Sequence, residues 1–64
     1  MVRYQVDEMV GDDLVARHAV NGIDALDALR KIASGPFIES GEHLHWFRVV
    51  NEERASVQRF GVIS

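Results

Sequence analysis

The sequence predicts an α+β domain with the element order ββαββ: a four-stranded, mainly antiparallel sheet with one helix packed on one face. Three observations carry that reading. Val2, Tyr4 and Val6 alternate with Arg3, Gln5 and Asp7, the period of a strand with one buried side. Residues 21–36 hold the start, the apolar spacing and the stop of a single amphipathic helix. Leu44 to Val50 is dense in aromatic and β-branched residues, as a strand is. All 64 residues are assigned to one domain, with strands over 2–9, 14–20, 44–50 and 55–63 and the helix over 22–34.

The first strand ends at Glu8-Met-Val-Gly-Asp-Asp13, where a glycine and two aspartates mark a hairpin turn. On the returning strand, Leu14, Ala16, His18 and Val20 compete with Val15 and Ala19 for the inner face. The even set is favoured, which buries His18, most simply against a backbone carbonyl.

The helix is expected to start at Asn21, whose side chain can accept from first-turn N–H groups, with Asp24 reaching back. Ile23, Leu26, Leu29, Ile32 and Ala33 fall on its apolar side, and Asp24, Asp27, Lys31 and Ser34 on the other. Gly35 and Pro36 stop it. The acidic start and the basic Arg30 and Lys31 at the end suit the helix dipole, so the polar side needs no ligand. Burying its four large aliphatics would contribute roughly 6–12 kcal/mol.

Phe37 and Ile38 are expected to fold back over the helix end, with residues 39–43 as a solvated loop. The second hairpin turns at 51–54, and its register depends on loop length. An odd loop puts Phe47 and Val49 beside Val57 and Ala55, and Leu44 and Trp46 beside Phe60 and Gln58. An even loop puts Trp46 with Val57 and Arg59, and Phe47 with Gln58, Phe60 and Val62. Either way, an aromatic residue lies on the side away from the helix. Leu44, Trp46, Arg48, Arg59 and Phe60 are the expected interface, since Trp, Phe and Arg dominate contact hot spots.

Composition narrows the function classes. With no cysteine, thiol redox chemistry and thiolate metal sites are excluded. A net charge of −3 gives no general attraction to nucleic acid or anionic lipid. The N-terminal residues lack a basic region followed by an apolar run, and no window has the length of a membrane span, so a cytoplasmic protein is expected. His43 and His45 with Glu42 have ligand-like spacing, but no third ligand is specified and no metal or other cofactor is expected. Ser34, Ser40 and Ser56 lie outside any glycine-flanked nucleophile elbow, and Asp12-Asp13 and Glu52-Glu53 are turn acids. No enzyme and no small-molecule substrate are expected.

The expected role is a small protein-binding module, a homodimer or a unit docking on a larger complex through the aromatic face of the second hairpin. Single-stranded nucleic-acid binding on the exposed sheet face is the alternative. Arg30-Lys-Ile-Ala-Ser34 closing a capped helix, followed by the hairpin from Phe47 to Gln58, resembles the layout of small phage-type ββαββ proteins, including some anti-CRISPR inhibitors. The resemblance lies in element order and size, carries no functional motif across, and implies a compact inhibitor that acts by docking.

Overall fold

The computed structural model describes residues 1–39 and 43–63. Five strands and one short helix follow one another as β1 (Val2–Val10), β2 (Asp13–Gly22), α1 (Ala25–Arg30), β3 (Phe37–Glu39), β4 (His45–Asn51) and β5 (Ser56–Val62). They form one sheet in the order β2-β1-β4-β5-β3, and every pairing is antiparallel. The α+β class stands, with five strands in place of the four expected. The seam of the sheet joins β1 to β4, so the two hairpins lie side by side.

Gly11 takes φ +59 at the turn between β1 and β2, a conformation that a side chain would penalise. The register then slips between Glu8 and Met9, a bulge that leaves Val15 as the extra residue on β2. Ala16, His18 and Val20 of the expected even set face the helix side, where Val20 lies opposite Tyr4 and packs against the core, but Leu14, beyond the bulge, pairs with Met9 on the other face. His18, expected to be buried, is exposed. The short helix covers the Val20 end of the strand and leaves the His18 end uncovered.

The expected helix over 22–34 is cut to Ala25–Arg30, because β2 stays extended through Asn21 and Gly22, which pair with Arg3 and Val2. Asp24, not Asn21, caps it: the Asp24 carboxylate accepts from the Asp27 N–H at 2.8 Å. Asp27 in turn accepts from the Ile23 N–H at 3.1 Å. At the other end, Lys31 and Ile32 donate to carbonyls three residues back, which tightens the final turn and ends the helix before Gly35. The buried stripe is Ala25, Ala28 and Leu29. Ile23 is 73% exposed and Ile32 is at the surface, so two of the four aliphatics expected inside stay in water. Small alanines let the helix lie close to the sheet: a methyl group on Gly22 would come within 2.9 Å of the Ala28 nitrogen.

The main core cluster lies on the helix side, where Tyr4, Val6, Ala28, Leu29, Phe47, Val49 and Phe60 meet, while Met9 is buried on the opposite face beside Trp46. Phe37 and Ile38, expected to wrap the helix end, form β3 on the outer edge of β5 instead. Phe37 still reaches the core and meets the Phe47 ring edge-on, with centroids 5.9 Å apart. Residues 40–42 of the expected loop lie outside the described residues.

Candidate functional site

The second hairpin fixes which aromatic faces out. Asn51 pairs with Ser56, leaving a four-residue loop of even length, and Trp46 therefore shares a face with Arg59 while Phe47 lies opposite Phe60. The Asn51 side chain holds that loop by accepting from the Glu53 and Arg54 N–H groups at 2.9 and 3.1 Å. Phe60, included in the expected interface, is 5% exposed in the core on the helix side, so it takes no part in the outer surface. Leu44 is 72% exposed beside the first turn, where its carbonyl accepts from the Gly11 N–H at 2.7 Å. Of the five expected residues, Trp46, Arg48 and Arg59 come together.

They stand in a charged row across the helix-free face. Asp7 pairs in register with Arg17 on one side and Arg48 on the other, and Arg48 pairs with Arg59. Asp7 is wholly buried beneath its neighbours. Arg17 donates to it through Nε at 2.9 Å, and Arg48 through Nε and a terminal nitrogen at 3.1 and 2.8 Å. Burial raises the Asp7 pKa, but the hydrogen bonds and charges of the two guanidinium groups outweigh it and hold the carboxyl below the ordinary aspartate value. Arg59 makes no ion pair among the described residues; its guanidinium lies over the Trp46 ring, 5.6 Å from the centroid. This row carries three positive groups and one negative on a chain of formal net charge −3.

Trp46 is pinned as well as covered. Its indole Nε1 donates to the Gly11 carbonyl at 2.8 Å, tying the second hairpin to the turn of the first. A concavity of about 380 Å³ opens there, between Met9, Gly11 and Asp12 of the first hairpin and His43, Trp46, Arg48 and Arg59 of the second.

The two histidines with ligand-like spacing part company. His45 pairs with Glu8 at 2.8 Å, beside the Phe47 ring, while His43 lies against Gly61 and lines the concavity on the opposite face. Among the described residues no group of three or more ligating side chains is placed to hold a metal ion. Glu42 and Ser40 lie outside those residues. No described helix is long and apolar enough to cross a membrane.

No family model, curated protein or solved structure matches this chain.

Sequence reasoning missed Asp7 and Arg17. The alternation of the first strand does mark Asp7 as facing away from the helix, but only the β1–β4 pairing brings Arg48 against it. That pairing joins residues some forty positions apart, and no local pattern announces it.

Proposed function

We propose that this chain is a non-enzymatic binding module that docks on an acidic surface of a larger protein through the helix-free face around Trp46, Arg48 and Arg59. The observation that carries this reading is the net positive row of arginines beside a fixed tryptophan, on a chain that is otherwise acidic. Arg and Trp are the side chains on which protein contacts most depend, and here both are held in place before any partner arrives. Val57, 52% exposed on the same face, adds apolar surface next to them.

Single-stranded nucleic acid is the second reading, favoured by the same positive row. Base stacking needs an open aromatic face, however, and the Trp46 ring lies under Arg59. Docking on protein is the better fit. It is also the mode of action implied by the layout of the small phage-type inhibitors.

The test is a photo-crosslinking amino acid at position 57, with position 23 as the control, in cells that make the protein. A discrete heavier protein adduct from position 57, absent from position 23 and lost with Trp46→Ser or Arg59→Glu, is the expected result. An adduct of twice the chain mass, backed by concentration-dependent sedimentation, would make the occupant a second copy and overturn the larger-partner reading. Crosslinking to nucleic acid, or equal labelling from both positions, would also overturn it.

A further inference from the structure

We infer that the concavity beside Trp46 is a carboxylate site, which receives one aspartate or glutamate side chain of the docked partner. The inference rests on the docking reading and gives it a chemistry. Two guanidinium groups line the concavity, and each is already immobilised by a contact within the chain. Arg48 directs Nε and one terminal nitrogen onto the same oxygen of Asp7, which leaves its other terminal nitrogen outside that pair. The Arg59 guanidinium is held over the indole, 5.6 Å from the ring centroid, with no carboxylate partner among the described residues. The indole is itself fixed to the Gly11 carbonyl. A planar fork held in advance matches a planar carboxylate, and little side-chain freedom is left to lose on binding.

Charge and size narrow the ligand further. Asp7 offsets one of the three arginines in the row, and Asp12 stands on the rim, so the site has an excess suited to a single negative charge. A doubly charged phosphate would exceed it. The volume of about 380 Å³ lies at the lower end of the range of roughly 300–1,000 Å³ typical of ligand pockets. That suits one acidic side chain better than a larger molecule.

The experiment titrates the whole chain with three probes: an end-capped triglutamate peptide, the matching triglutamine peptide, and a short thymidine oligomer. Emission from Trp46, the sole tryptophan, and the NMR signals of the arginine Nε–H groups report on the site. The glutamate peptide should shift the Arg59 and Trp46 signals saturably, less so at high salt, and bind roughly tenfold more tightly than the glutamine peptide. Arg59→Gln should remove that preference. Arg3→Gln, which alters an arginine paired with Glu52 at the far end of the face, should keep it. Equal binding of the two peptides, no saturation, or tighter binding of the oligomer would overturn the inference. If the peptides do not differ while the Trp46-dependent adduct from position 57 persists, the carboxylate site fails and the docking reading stands. Loss of the adduct removes the docking reading itself.

Discussion

Arg48 places two nitrogens on one oxygen of Asp7, at 3.1 and 2.8 Å, and so holds a wholly buried carboxylate at the middle of a sheet face that no helix covers. With Arg17 on the other side, Asp7 ties β2, β1 and β4 together. Replacing it by asparagine keeps the shape and removes the charge. Asp7→Asn should lower the unfolding free energy by roughly 1.5–3 kcal/mol near neutral pH, read from urea denaturation.

The same carboxylate sets a pH dependence. Its folded pKa lies below the ordinary value, so its contribution is complete above the ordinary aspartate range and is lost as pH falls through the lowered value. The stability gap between the native chain and Asp7→Asn should therefore shrink as acid is added. A gap that stays constant down to strong acid would mean that Asp7 is not held as a charged group.

Gly22→Ala tests the close approach of helix and sheet. The added methyl would meet the Ala28 nitrogen at 2.9 Å and its α-carbon at 3.1 Å, and backbone atoms cannot swing aside. A loss of about 1–3 kcal/mol is expected, visible as an earlier denaturation midpoint.

The helix start separates two neighbouring residues. Asp24→Ala should cost about 1 kcal/mol, because it removes the acceptor of the Asp27 N–H. Asn21→Ala should change stability by less than about 0.5 kcal/mol, since the Asn21 group that Lys31 uses is its backbone carbonyl. Thermal unfolding of the two variants side by side decides which residue is the cap.

How much of this could be read from the residues depends on how local each cause is. The Val2, Tyr4 and Val6 alternation and the Gly11 turn are local, and both hairpins were legible from such signals. The helix was legible in place but not in length. Asn21 and Gly22 look like a helix start, yet their pairing with Arg3 and Val2 keeps them extended. β3 had no signal of its own: Phe37, Ile38 and Glu39 become a strand only because Phe60 to Val62 lie beside them. At the candidate site, Trp46, Arg48 and Arg59 were visible as residue types, whereas Phe60 was misplaced because the register awaited the loop length. The buried Asp7 anchor depended on strand order and could not be seen at all.

The central seam has a consequence for how the chain comes to be folded. Val6 and Val49 face each other across it, one from each end of the sequence, and neither hairpin alone can bring that pair together. Taken by itself, the first half is one hairpin with a short helix and the second a three-stranded piece, β4-β5-β3, and each lacks the part of the core that the other supplies. The molecule should accordingly assemble all at once, when its two ends find each other, and fragments divided between them should stay unstructured until they are mixed.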